Sequence, residues 1–320
     1  METCLVTGAS GFIGRQLCAG LATDGHSLRM SLHLPPSGDD PLLRFGATVV
    51  SGDIDGITDW SPALAGVTTV VHLANRAHVM HEKASDPLAR YRRINVDGTR
   101  HLAEQAAAAG VRRLIYPSSV KVMGEATAHE PFRDGDKPAP CDPYALSKWE
   151  AELELQQVAA ATGLEVTVLR SPLVYGPGVG ANFLQLMRCV AKGIPLPLAA
   201  IDNRRSMIYV GNFADAIRTC IEHPQAAGKT YLISDGAPLS TADLVVQLAR
   251  AFDVPDRSWP LPPALLNRIA SLFGKEETMR RLTVSLEVDD SAIRRELGWA
   301  PRYTLGESLR QTAEWFRSLR

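Results

Sequence analysis

Tyr144 and Lys148 stand four positions apart in the stretch DPYALSKWEAE, which begins at Asp142. On a helix that spacing puts both side chains on one face, so a phenol and an ammonium can meet. The pair has two readings. It is either an ordinary helix-surface contact or a phenol tuned for proton transfer, and spacing alone does not choose. A free tyrosine ionises near pH 10, too high for a base at neutrality. A cation beside it favours the phenolate and brings that value down.

The stretch TGASGFIG (Thr7 to Gly14) suggests what such a pair would serve. It follows a short apolar run, TCLVT, and opens a helical pattern. Gly8, Gly11 and Gly14 fall where a tight turn, close approach of a ligand and close helix packing each exclude a Cβ. A helix that starts there offers unpaired N–H groups and a positive dipole end to a pyrophosphate. Because the glycines occupy the first strand-to-helix junction, the loop reads as dinucleotide-binding.

The elements that must position these residues follow from the alternation of short β-rich runs and longer helical patterns. Strands are expected at 3–7, 27–33, 48–50, 69–74, 112–118 and 165–170, and helices at 12–23, 60–64, 86–109 and 143–162. Pro143 suits a first helical turn, where its missing N–H has no partner to lose. Alternating elements with apolar strands imply an α/β fold, a Rossmann-type doubly wound parallel sheet. After Ser171 the rhythm breaks into Pro- and Gly-rich stretches such as SPLVYGPGVG and GIPLPL. The expected organisation is a dinucleotide-binding core over 1–171 and a smaller, mainly substrate-binding region over 172–320, some of whose segments return to the sheet.

Composition excludes several classes. A 320-residue chain with 45% hydrophobic and 22% charged residues fits a globular protein. A formal net charge of -1 and scattered arginine pairs give no footprint for nucleic acid. No apolar run reaches the length of a membrane span, and no signal peptide is evident, so a cytoplasmic protein is expected. The five cysteines lack metal or redox spacing and read as reduced thiols. His78 and His81 are three apart but have no third ligand; no metal is expected.

The spacing G-x-x-G-x-x-G resembles that of the extended short-chain dehydrogenase/reductase family. So do Asp53-Ile54, HLA (His72 to Ala74), NVDGT (Asn95 to Thr99), Ser118-Ser119 and Tyr144/Lys148, in that order, followed by RRSMIYVGNFADA and VDDSAIRRELGWAP. The resemblance implies Tyr144 as general acid/base, Lys148 as its tuner and ribose anchor, and Ser119, preferred over Ser118, as the hydroxyl bonding the reacting oxygen. It implies cofactor contacts from Gly8, Ser10, Gly11, Phe12, Ile13 and Gly14 in the loop, and from His33, Asp53, Ile54, Leu73, Ala74 and Asn75 after the strands. Asn95, Ser118, Tyr144, Lys148, Pro172 and Val174 complete that set. Asn95 is either an orienting group beneath the lysine or a structural asparagine. On the substrate side the resemblance points to Ser119, Tyr144, Asn182, Arg205 and Arg281, the arginines suited to bidentate binding of a diphosphate. Lys121 either reaches the substrate or faces solvent.

The cofactor implied is NAD or NADP. NAD usually meets an acid after the second strand, but here His33 stands near that place and Arg29 lies within the strand. HLANRAHVM, SSVKVMGE and DPYALSKWEAE resemble a bacterial subgroup labelled UDP-glucose 4-epimerase-like, which includes reductases forming UDP-N-acetylquinovosamine. The substrate implied is a UDP-sugar. The preferred expectation is a UDP-4-keto-6-deoxy-N-acetylhexosamine reductase; the alternative is a 4-epimerase that retains its NAD. Ser119-Val120-Lys121 lacks the acidic pair of a 4,6-dehydratase, and keeping Ser119, Tyr144 and Lys148 together argues against a non-catalytic sensor. A homodimer is expected by analogy.

Overall fold

The computed structural model describes residues 2–77, 86–272, 274 and 276–319. His78 and His81 lie outside the described residues. A seven-stranded parallel sheet forms from β1 (Thr3–Thr7), β2 (Ser27–Leu32), β3 (Ala47–Val50), β4 (Thr69–His72), β5 (Arg113–Ser119), β6 (Glu165–Ser171) and β9 (Thr230–Leu232). Its strand order is β3-β2-β1-β4-β5-β6-β9. The chain winds outward from β1 in one direction through β3, then crosses back to β4 and winds outward in the other. That reversal at β1/β4 opens a crevice beyond the strands' carboxyl ends, where ligands bind in such sheets.

The strands form here because their residues are nearly continuous apolar runs, as a sheet covered on both faces requires. On one face α1 (Phe12–Thr23) packs Leu17 and Leu21 with Phe213 and Ile217 of a later helix, Val210–Glu222. On the other, α2 (Ser61–Leu64) packs with α4 (Gly98–Ala108) and α5 (Pro143–Thr162) through Leu64, Leu102 and Leu155. α5 begins as the sequence suggests: Asp142 caps it by accepting from Ala145 N at 2.7 Å, and Gly163, at φ 80°, ends it.

The helix expected over 86–109 runs without a break from Pro87 to Ala108, with one widened turn. α3 (Pro87–Tyr91) leads into a π-helical turn, Arg92–Asp97, before α4 begins. The physical reason lies in Asn95. Its Oδ1 accepts from Arg76 N at 2.8 Å, and its Nδ2 donates to Arg76 O and Ser147 Oγ. Widening one turn turns that side chain inward, as π-bulges at functional sites often do.

The rest of the chain builds beside the sheet's carboxyl edge. β7 (Leu173–Tyr175) and β8 (Met207–Tyr209) pair in parallel. α6 (Ala181–Ala191), α8 (Thr241–Phe252), α9 (Pro263–Leu272), α10 (Glu276–Thr283) and α12 (Leu305–Ser318) complete it, while α7 (Val210–Glu222) and α11 (Ser291–Leu297) share the sheet-face core with α1. A second core holds Met187, Leu248 and Phe316 from α6, α8 and α12. Residues 285–289 lace this region together: Thr127 N donates to Ser285 O at 2.9 Å, Ser206 N to Leu286 O at 2.9 Å and Phe132 N to Glu287 O at 2.9 Å. No helix among the described residues is long and apolar enough to cross a membrane.

Candidate active site

Two cavities meet at the carboxyl edge. The larger, about 690 Å³, runs along the glycine loop and past the ends of β2 and β3. Of the residues expected to touch the cofactor, Gly8, Ser10, Gly11, Phe12, Ile13 and Gly14 line its floor. His33, Asp53 and Ile54 lie along it, as do Leu73, Ala74, Asn75, Ser118, Tyr144, Pro172 and Val174. The smaller, about 380 Å³, takes Lys121, Asn182, Arg205 and Arg281 into its wall. Ser119, Pro172 and Leu173 line both.

Tyr144 is half-buried on α5 and faces the larger cavity, with the Tyr91 ring edge-on at 6.0 Å. Burial pushes its phenol above the ordinary value, and the charges of Asp142 and Tyr91 push the same way. Lys148 sits behind the cavity wall, 1% exposed. Its Nζ donates to Pro117 O at 2.8 Å and rests 3.9 Å from the Tyr116 ring centroid. Burial pulls its ammonium down to about 7, against the favourable charge of Glu152. Tyr116 in turn stacks on His72 at 6.0 Å. Burial takes His72 down to about 3, helped by the Lys148 charge, so the imidazole is neutral between the Thr7 and Thr99 hydroxyls.

The two adjacent serines have different surroundings. Ser118 Oγ donates to Glu152 at 2.5 Å, and Glu152 is buried against Arg170 at 2.6 Å. Ser119 Oγ accepts from Lys121 N at 3.2 Å, leaving its O–H to donate toward the junction of the cavities. Asn95 lines neither cavity. It ties the loop after β4 to α5, which fits an orienting role from behind.

In the smaller cavity the Arg205 guanidinium donates to Val284 O at 3.0 Å, and its proton affinity is lowered by burial and by neighbouring Arg281. Two cations held close beside an opening favour an anionic ligand. Ala181, at φ 50°, takes the left-handed backbone that a Cβ disfavours, just before Asn182 enters the wall.

The family model described as "NAD dependent epimerase/dehydratase family" matches residues 4–234. The chain belongs to this family. It is 44% identical over 318 residues to a UDP-glucose 4-epimerase of Vibrio cholerae, covering 98% of this chain and 95% of that one. It is 26% identical to an N-acetyl-alpha-D-glucosaminyl-diphospho-ditrans,octacis-undecaprenol 4-epimerase of Escherichia coli O157:H7, covering 98% and 95%. A solved structure, MoeE5 in complex with UDP-glucose and NAD, shares 26% identity and a TM-score of 0.78 over 100% of both chains.

The larger cavity of this epimerase/dehydratase-family chain fits the family's cofactor. Gly8 has φ +66°, and a Cβ there would stand 2.8 Å from Ala74 N. At Gly14 a Cβ would run into the Gly8 carbonyl and stand 2.7 Å from Ala9 Cα. Gly11 caps α1 without a side-chain hydrogen bond, so the first N–H groups of that helix face the cavity without a side-chain cap. Gly8, Gly11, Gly14, His33 and Asp53, which line this cavity with Tyr144, would hold NAD, which would supply a hydride acceptor. Gly14→Ala is expected to lose NAD binding and to destabilise the fold by at least about 1–3 kcal/mol, because backbone must yield to backbone. Equilibrium dialysis with NAD and a denaturant melt check this.

Sequence reasoning missed some of the walls. Ile94, Arg76 and Phe213 also line the larger cavity, and Glu125, Glu277 and Arg280 the smaller. Arg280 ion-pairs with Glu125 and Glu277, and Arg281 with Glu277 at 3.0 Å. The adjacent arginines in EETMRR were the available signal, but charges on a short helix read first as a solvated face. Arg29 does not reach toward the end of β2; its guanidinium donates to Ala63 O and Ala65 O. His33 Nδ1 instead stands 3.6 Å from Asp53 Oδ1, both side chains exposed. Among the described residues no group of three or more His, Cys, Asp or Glu could hold a metal.

Proposed function

We propose that this chain is an NAD-dependent enzyme acting at C4 of a UDP-linked hexose or N-acetylhexosamine, and that it is a 4-epimerase. The observation that carries this is the shared wall of Ser119, Pro172 and Leu173: a sugar whose diphosphate sits in the cationic cavity would bring its ring against Tyr144 at the mouth of the cofactor cavity. In this reading residues 1–171 bind the cofactor and 172–320 mainly bind the sugar nucleotide. Ser119 holds the C4 oxygen, Tyr144 takes and returns its proton, and Lys148 carries charge beneath the ring. Arg205 and Arg281 grip the diphosphate, with Asn182 beside it. The similarity to the Vibrio cholerae epimerase supports returning the hydride to the same sugar.

A second reading, the UDP-4-keto-6-deoxy-N-acetylhexosamine reductase, draws support from β2, which ends in Leu32-His33 with no acid to grip the ribose hydroxyls and retain the cofactor. The purified protein distinguishes them. Interconversion of gluco and galacto UDP-sugars without net NADH use is the expected result. Stoichiometric NADH consumption with the 4-keto sugar, and no interconversion, would transfer the assignment to the reductase.

A further inference from the structure

Lys121 lines the sugar cavity, yet its ammonium is already engaged. It ion-pairs with Asp142 and stands 3.7 Å from Glu125, which is itself held by Arg280. Asp142 has two tasks on two oxygens. Oδ1 caps α5 through Ala145 N, and Oδ2 accepts from Lys121. The capped helix carries Tyr144 in its first turn. A residue on the sugar side is therefore linked, through one carboxylate, to the start of the helix that presents the phenol.

We propose that Lys121 is a positioning residue for proton transfer, its ammonium neutralising the carboxylate that caps α5 two residues before Tyr144. This rests on the reading of Tyr144 as acid/base. Among the described residues, the charged and titratable groups near the phenol come from several elements. Tyr91 approaches from α3 with Arg76 over its ring at 5.6 Å and in the same cavity wall, Asp142 caps α5, Lys148 lies on α5, and Tyr116 lies on β5 under Lys148. Among them Asp142 opposes phenolate formation most directly after burial itself. Lys148 is held against Pro117 O and the Tyr116 ring, while a second cation stands against the carboxylate. Lys121 supplies it. Because the same lysine borders the sugar cavity, a ligand anion that draws it away from Asp142 would also retune the phenol.

The test is a titration of the NAD-saturated protein, read as the near-ultraviolet tyrosinate absorbance that disappears in a matching Tyr144→Phe variant. In Lys121→Met the Tyr144 transition should move up by about one pH unit, about tenfold less phenolate at a fixed pH below both transitions. Lys121→Arg should leave it in place. Asp142→Asn, which still caps a helix, should move it down, and combined with Lys121→Met should restore it toward the parent. The acidic limb of kcat/KM for the sugar nucleotide turned over should shift in step, while the plateau at high pH reports any separate loss of substrate contact. An unmoved transition in Lys121→Met, or an Arg variant that shifts as far as Met, overturns the proposal. Should the Met variant not fold, Lys121→Gln and Asp142→Asn alone are titrated in its place, with the same shifts expected and the same failures decisive. The phenol titration needs no substrate, so absence of UDP-sugar turnover would defeat the functional reading and leave this one standing or falling on its own data.

Discussion

Tyr144→Phe should lower kcat by about 10²–10⁴-fold, the range a positioned general acid/base contributes, and leave NAD affinity nearly unchanged. The change removes one oxygen. The ring keeps its edge-on contact with Tyr91 at 6.0 Å, and the glycine loop on the far side of the cavity is untouched. Lys148 keeps its bond to Pro117 O, so the fold around it has no reason to move. Turnover of a UDP-hexose beside a fluorescence titration with NADH measures the two effects separately. Turnover within a few-fold of the parent would remove Tyr144 from the proton path. Loss of cofactor affinity in parallel with activity would show that the phenol serves binding.

Glu152→Ala should cost about 3–5 kcal/mol of stability, the usual penalty for stranding one partner of a buried ion pair. Glu152 is fully buried and accepts from Arg170 at 2.6 Å and Ser118 at 2.5 Å. Without it Arg170, 4% exposed, keeps the Met123 sulfur at 2.9 Å, the face of Trp149 at 5.7 Å and the more distant charge of Asp134. The penalty comes chiefly from leaving that guanidinium without its hydrogen-bonded carboxylate in the interior, so Arg170→Met in the same chain should recover a large part of it. Denaturant midpoints of the two single variants and the double give the coupling. A loss below about 1 kcal/mol, the centre of ordinary point substitutions, would mean that water reaches the pair and the site beneath Ser118 is softer than described.

The first half of the chain was readable because its signals are local. A strand of the parallel sheet is an apolar run, the glycine loop is eight consecutive residues, and Asp142-Pro143 marks a helix start before Tyr144 arrives. All six expected strands exist within a residue or two at their ends. The seventh, Thr230–Leu232, escaped notice because three residues carry too little pattern to distinguish an edge strand from a loop. The widened turn inside the 86–109 helix was equally invisible, since Asn95 in it contacts residues 19 and 52 positions away. The smaller cavity was legible only in fragments. Arg205, Asn182 and Arg281 could be carried over from a resemblance, but Glu125, Glu277 and Arg280 line the wall through pairings between distant segments. The ion pair of Lys121 with Asp142 joins residues 21 apart across a loop, and no periodicity reports such a pair.

The lacing by residues 285–289 bears on the order in which this protein comes into being. Six of the seven sheet strands are complete by Ser171, each new one pairing beside one already made, while Phe213 of α7 joins the crevice wall and the cover over α1 later. The smaller cavity is not closed until Leu286, one of its wall residues, pairs with 204–206 and Ser285 reaches back to Thr127, contacts between segments far apart in the chain. Such distant closures are the slow ones in folding. On the ribosome those six strands can thus pair while the segment that closes the smaller cavity is still being synthesised. The smaller cavity is closed only after the strands of the larger one are in place.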